Sequence, residues 1–188
     1  MVTIGALWLP ILLSAVLVFV VSTIIHMVLK YHSWDYVKIP NEDAVRAAIK
    51  SANPEPRQYL IPYIGDYKEL KTPEVMQKFI EGPVAVVTIR KSGAPSMGPN
   101  LVQWFVFSLF ISFFAAYIAS RTLAPGTDYL HVFRLVGAVA FLGYAGATIP
   151  PSIWMGKPWA ITGKEMLDGL VYGMVTAGAF GWLWPHAA

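Results

Sequence analysis

The chain has no cysteine, which excludes disulfides, thiolate metal sites and thiol catalysis. It is also poor in charge: 13% of its 188 residues are Asp, Glu, Lys or Arg, about half the share of a soluble domain. That charge is segregated, and residues 1–29, 92–120, 135–156 and 169–188 carry none. No GxSxG, HExxH, phosphate-loop or dinucleotide fingerprint occurs, so the common signatures of hydrolases and nucleotide enzymes are missing. No acidic residue stands deep in an apolar stretch, which is where proton relays and ion pathways place theirs. The net charge of +3 is small and calls for no nucleic-acid partner.

What is present is apolar, with 56% of residues hydrophobic. Each uncharged gap reaches the roughly 20 residues that a helix needs to cross about 30 Å of hydrocarbon. The pattern predicts an all-α membrane protein with four transmembrane helices, near residues 6–29, 101–120, 131–149 and 166–184, and a small mixed α/β cytosolic insertion between helices 1 and 2. The chain divides accordingly into residues 1–29, a cap segment 30–100, and residues 101–188 with helices 2–4 and short loops. The first span lacks a basic leader and a small-x-small cleavage site before Lys30, so it is expected to be retained.

Ten of the fourteen Lys and Arg fall in residues 30–100, and Lys157 and Lys164 follow between spans 3 and 4. Positive charge stays inside, which predicts both termini outside and residues 30–100 cytoplasmic. Trp8, Trp34, Trp104, Trp154, Trp159, Trp182 and Trp184 fall at or near span ends. Trp8, Trp104, Trp154, Trp159, Trp182 and Trp184 are therefore expected to anchor at the headgroup level.

The cap segment carries folding signals. Asn41 before Glu42 and Asp43 reads as a helix start, Gln58–Ile61 as a short strand, Thr72-Pro73-Glu74 as a second helix ending at Gly82, and Val84–Ile89 as a strand. About 70 residues is near the lower limit for an independent core, so the cap is expected to lean on the membrane or on a partner.

Gly169, Gly173, Ala177 and Gly181 recur every fourth residue and form one bare stripe on a helix. In lipid, burial alone does not drive helices together, and small residues permit close backbone packing. Gly143 and Ala147 of span 3, with Gly137 and Gly146, make that helix the natural neighbour within the chain; the spacing does not distinguish it from a partner subunit. Span 2 is ringed by Trp104, Phe105, Phe107, Phe110, Phe113, Phe114 and Tyr117. Lipid contact explains these rings; contact with a partner's quinone or pigment is the sharper alternative.

Histidine and carboxylate chemistry is sparse. His26 lies near the inner end of span 1 and His131 near the outer end of span 3, too far apart to ligate one iron. His32 falls beyond the inner boundary and His186 in the tail. Asp168 sits about a turn inside span 4 and, with Thr162-Gly163-Lys164-Glu165 read as a capping box, is assigned to helix-terminus stabilisation. No catalytic, metal or cofactor-binding residue is expected of this chain alone.

The opening LWLPILLSAVLVFVVSTIIHMVL with KYHSWDY and KIPNEDAV, followed by FRLVG and DGLVYG, resembles a family of bacterial multi-span membrane proteins with no attached activity. The resemblance implies a bacterial membrane protein and carries over no cofactor or functional residue. The function expected is a non-catalytic membrane subunit packing against a larger complex, redox or energy-transducing among the candidate hosts, with lipid and other membrane subunits as partners. The alternative is a small homo-oligomeric channel lined by Tyr144, Thr148, Tyr172 and Thr176. An intramembrane enzyme would require a buried polar cluster that the spacing does not assemble.

Overall fold

The computed structural model describes residues 1–186. The chain forms two compact units: one comprises Met1–Asp35, Ser96–Ser152 and the segment from Pro158 onward, the other Tyr36–Pro95 with Ile153–Lys157. Three helices are long and apolar enough to cross a membrane, Ile4–Val28, Gly98–Thr122 and Tyr129–Trp154.

In the first unit, α1 is Trp8–Thr23, led in by a 3-10 turn at Ile4–Leu7 and ended by a π turn at Ile24–Val28. Pro10 falls in the first turn of α1, where its missing N–H leaves no bond unmade. Helix α4 is Gly98–Thr122 and α5 is Tyr129–Ala145. The short α6, Pro150–Trp154, precedes α7, Trp159–Trp182. Helix α7 is 24 residues long but carries Lys164, Glu165 and Asp168, which keep it out of the apolar class of the other three. In the second unit, α2 is Glu42–Ser51, β1 Gln58–Ile61, α3 Pro73–Glu81 and β2 Ala85–Thr88.

Small residues set the closest contact of the first unit. An added Cβ at Gly169 would lie 2.8 Å from the Ala145 Cβ, one at Gly173 3.1 Å from the Phe141 N, and one at Gly181 2.7 Å from the Tyr129 ring. Ascending numbers on α7 meet descending numbers on α5, so the pair is antiparallel and the stripe is filled by the chain's own helix along its length. Ala177 completes it, lying 3.2 Å from a Cβ placed on Gly137. The two other small residues expected at this contact lie elsewhere: Gly143 faces Ile111 of α4, and Ala147 is exposed in the 3-10 turn Gly146–Thr148. That turn ends the α-helical register at Ala145 and makes Ala145, rather than Ala147, the partner of Gly169.

Helices α1 and α4 are also antiparallel, joined by a buried hydrogen bond between the hydroxyls of Ser14 and Ser112, 2.9 Å apart. One buried cluster gathers Leu7, Ala115, Ala119, Val132, Val136, Ala177 and Phe180, and a second gathers Val18, Ile25, Ile111, Ala140, Tyr144 and Tyr172.

Two helix starts show how side chains set boundaries. Asp128 caps α5, its carboxylate accepting from the backbone N–H of His131. The His131 imidazole contact and then that backbone bond hold the Asp128 carboxyl below the ordinary carboxylate range. A carboxyl depressed in this way contributes stability above its unfolded pKa, and that contribution is lost as pH falls through the folded value. Asp128→Asn is therefore expected to lower the thermal midpoint in detergent at neutral pH, with the gap from wild type closing below about pH 4. A gap independent of pH would discount the charge.

The start of α7 departs from the sequence reading. The helix begins at Trp159 behind Pro158, so Thr162 lies inside it, buried, with its hydroxyl 2.5 Å from that of Ser152. The capping box is not formed, and Asp168 stands about two and a half turns into the helix, beyond the reach of helix-terminus stabilisation. Thr162→Val strands the Ser152 hydroxyl and is expected to cost about 1–3 kcal/mol in chemical denaturation; a loss well under that range would mean water readily takes over the bond.

In the second unit, β1 and β2 pair antiparallel with Gln58 opposite Thr88 and Ile61 opposite Ala85. Asn41 precedes α2 in the left-handed region and makes no side-chain cap bond. No residue of Tyr36–Pro95 is buried. Tyr63, Tyr67, Ile80 and Val84 stand exposed.

Candidate functional site: a histidine–carboxylate cluster

The π turn at Ile24–Val28 is the first element of the site. It closes with the Leu29 N–H donating to the Ile24 carbonyl at 3.1 Å. Such wide turns recur at functional positions, and this one carries His26. Lys30 then takes a left-handed φ of 53°, and turns closed by Ser33 N–H on Lys30 O and Asp35 N–H on His32 O fold the chain back. His32 and Asp35 are thereby returned toward α7.

Helix α7 supplies the opposing face. Lys164, Asp168 and Tyr172 are spaced at i, i+4 and i+8, so they line up on one side. Across this face, the Lys164 Nζ donates to the Asp35 Oδ1 at 2.5 Å and to the Tyr31 carbonyl at 2.8 Å. The other Asp35 oxygen lies 2.6 Å from His32 Nδ1. The second imidazole nitrogen, His32 Nε2, lies 2.8 Å from Asp168 Oδ2. His26 Nε2 stands 3.9 Å from that same oxygen and 3.4 Å from the Tyr172 hydroxyl. The result is a continuous polar run, Lys164–Asp35–His32–Asp168–His26–Tyr172.

Burial sharpens the electrostatics. The Asp168 side chain is 6% exposed while that of His26 is 49% exposed, so the carboxylate is inside and one imidazole opens outward. Asp168 Oδ1 is buried with no hydrogen-bond partner among the described residues. The bond from Lys164, and after it the bond from His32, hold the Asp35 carboxyl below its ordinary range. Asp35 is thus an anion paired with Lys164, which leaves Asp168 as the carboxylate without a cation of its own. His26, His32 and Asp168 each present a ligand atom, all within 4.8 Å of one another.

Sequence reasoning sets His26 against His131, too far away to share one iron; the structure sets His26 beside His32, which the turn after α1 brings back. The available signal was HMVLKYHSWD set against KEMLDGLVY: a His-x5-His-x2-Asp run facing an i, i+4, i+8 polar face.

The remaining expected residues fall as follows. Trp8, Trp159 and Trp182 are exposed, and Trp154, also exposed, belongs to the second unit. Trp104 turns inward, its Nε1 donating to the Ser22 hydroxyl at 2.9 Å and its ring meeting Tyr144 and Tyr172. Trp184 is buried, with Nε1 donating to the Ala124 carbonyl at 3.0 Å. Of the residues expected to line a pore, Tyr144, Tyr172 and Thr176 are buried inside the chain's own bundle, and the Thr148 hydroxyl donates to the Ala145 carbonyl. Comparison with protein-family models, curated proteins and solved structures finds no match. The fold and site define a helical architecture with three helices long and apolar enough to cross a membrane and a polar cluster at one end of its bundle.

Proposed function

We propose that the chain is a non-catalytic integral subunit of a bacterial inner membrane that docks on a larger membrane complex, with a structural and assembly role. It crosses four times, with α7 as the fourth span, both termini outside and residues 30–100 in the cytoplasm. The length of α7 and its packing along α5 support the fourth crossing. The concentration of Lys and Arg in residues 30–100 supports the orientation.

One observation carries the docking reading. Tyr36–Pro95 holds two helices and a strand pair yet buries no side chain. A segment that orders its backbone without an apolar core has little within itself to offset the conformational entropy lost. Contact with a partner would cover Leu60, Tyr63, Ile80 and Val84, all exposed. The glycine stripe does not add to this argument, because α5 occupies it.

Purification in mild detergent, followed by cross-linking and mass spectrometry, tests the proposal. Lysines of residues 30–100 should cross-link to a second polypeptide. Leu60→Asp with Ile80→Asp should weaken that association at least about tenfold, or roughly 1.4 kcal/mol, without changing the melting of the helical unit. A chain that purifies alone, with all its cross-links internal, overturns the proposal.

A further inference from the structure

We infer that His26, His32 and Asp168 form a binding site for a single divalent transition-metal ion, with Asp35 orienting His32 and Lys164 fixing Asp35. This goes beyond the docking role and stands independently of it, since it gives the chain a ligand of its own.

The argument begins with His32. Its Nδ1 lies 2.6 Å from Asp35 Oδ2, and an anionic carboxylate oxygen can only accept. A proton on Nδ1 satisfies that contact and leaves Nε2 to face Asp168 Oδ2 at 2.8 Å. A ring nitrogen and a carboxyl oxygen at this distance share a positive centre: a proton, on either atom, or a metal ion. The carboxylate–imidazole–ligand order is the one by which proteins fix the tautomer of a metal-binding histidine.

The geometry admits a metal. Ligands about 2.0–2.1 Å from a tetrahedral ion sit about 3.3 Å apart. The His32–Asp168 pair is at 2.8 Å, the His26–Asp168 pair at 3.9 Å, and all three ligand atoms lie within 4.8 Å of one another, a convergence that an ion would draw together. A proton shared by His32 and Asp168 accounts for that pair alone; His26 Nε2, 3.9 Å from the same carboxylate oxygen and 3.4 Å from the Tyr172 hydroxyl, is the third group an ion would gather in. Asp168 Oδ1, buried and unpartnered among the described residues, is a further oxygen that the carboxylate can offer.

The donor set selects the class of ion. Two imidazoles and one carboxylate suit zinc and its first-row neighbours, whereas calcium and magnesium require mainly oxygen ligands. Three protein ligands leave a fourth position free, and the half-exposed His26 ring gives the cluster an outward opening. The cluster lies wholly within the first unit, so no partner is needed to complete it.

The test is titration of the full-length chain in detergent with Co2+ and, in competition, Zn2+ at near-neutral pH. Wild type should bind one equivalent of Co2+ with visible ligand-field bands of a low-coordinate site, lose them to Zn2+, and melt at a higher temperature with metal than with chelator. His32→Gln and Asp168→Asn should abolish the bands, and His26→Gln should weaken binding at least about tenfold. Asp35→Asn should lower affinity by about 10- to 100-fold while keeping the bands, as expected of a positioning residue. His131→Gln, at the Asp128 pair, should change nothing. Circular dichroism on each variant separates lost folding from lost ligands, and the wild-type titration stands even where a variant fails to fold. Absence of stoichiometric Co2+ and Zn2+ binding by folded wild type overturns the inference. So does binding that survives both His32→Gln and Asp168→Asn, and so does an imidazolium signal at His32 in nitrogen NMR that metal does not displace. None of these outcomes bears on whether the chain docks on a larger complex.

Discussion

Gly173→Leu is expected to unfold the helical unit rather than detach it from a partner. The Cβ of any residue at 173 would lie 3.1 Å from the Phe141 N, 3.2 Å from the Gly137 carbonyl oxygen and 3.3 Å from the Phe141 Cα. All three are backbone atoms of α5, so no side-chain rotation relieves the clash. The helices must separate, and separation loses the contacts that run along the stripe from Gly169 to Gly181. Overpacking a core commonly costs about 1–3 kcal/mol; a four-carbon side chain against backbone should exceed about 3 kcal/mol, a large share of the roughly 5–15 kcal/mol that holds a domain together. Gly163→Ala is the control. It lies in the same helix with nothing within 4 Å of an added Cβ, and exchanging Gly for Ala within a helix should stabilise by up to about 1 kcal/mol. Thermal and denaturant unfolding in one detergent would show the first variant strongly destabilised and the second unchanged or slightly improved. Equal melting of the two would remove close α5–α7 packing from the account of this fold.

The same contact shows what a sequence reveals and what it hides. Small residues at every fourth position announce a helix pressed against another, because that periodicity follows from one helix alone. The identity of the neighbour is different information. Gly143 looked equivalent to the α7 glycines, yet it meets Ile111 of α4, because which side of α5 faces which helix is settled only by the whole bundle. The strand Gln58–Ile61 and the helix from Pro73 to Glu81 were legible, since proline, glycine and alternation act locally. The start of α7 was misread at Thr162, because a Thr followed three residues later by Glu looks like a cap whether or not the helix has already begun; Pro158 opened it earlier. That shift changed the meaning of Asp168, from a terminal charge to a buried one.

The polar cluster was harder still. A span is found by asking where charge is absent, and this procedure pushes every ionisable residue to a boundary. His26, His32 and Asp168 were each explained singly as boundary residues. Their meeting depends on a π turn and on the left-handed Lys30, neither of which has a composition signature. The spacing of Lys164, Asp168 and Tyr172 aligns them on one face of α7; only the turn after α1 says what that face meets.

His32→Leu, measured in chelator, should destabilise the helical unit by about 3 kcal/mol, since removing one partner leaves a buried carboxyl without its hydrogen bond. His32 Nε2 makes the sole hydrogen bond to the Asp168 carboxylate among the described residues, Oδ1 having none and His26 standing at 3.9 Å. With a leucine at 32 the carboxylate remains inside, 6% exposed, with no donor in reach. Part of the loss is limited because a buried acid can take up a proton instead of staying charged. The double variant His32→Leu with Asp168→Leu should recover most of that stability, since replacing a buried pair by apolar groups of similar size is often neutral or favourable. The two effects should therefore be non-additive by at least about 1.5 kcal/mol, against the few tenths expected of independent sites. Additivity within about 0.5 kcal/mol would mean that water already solvates Asp168 and that the pair is not a unit. If the apolar pair is as stable as wild type, folding alone gives no reason to keep a histidine and an aspartate facing one another inside the bundle. The loss of Co2+ binding by that same stable variant would then separate what the cluster does for the ion from what it does for the fold.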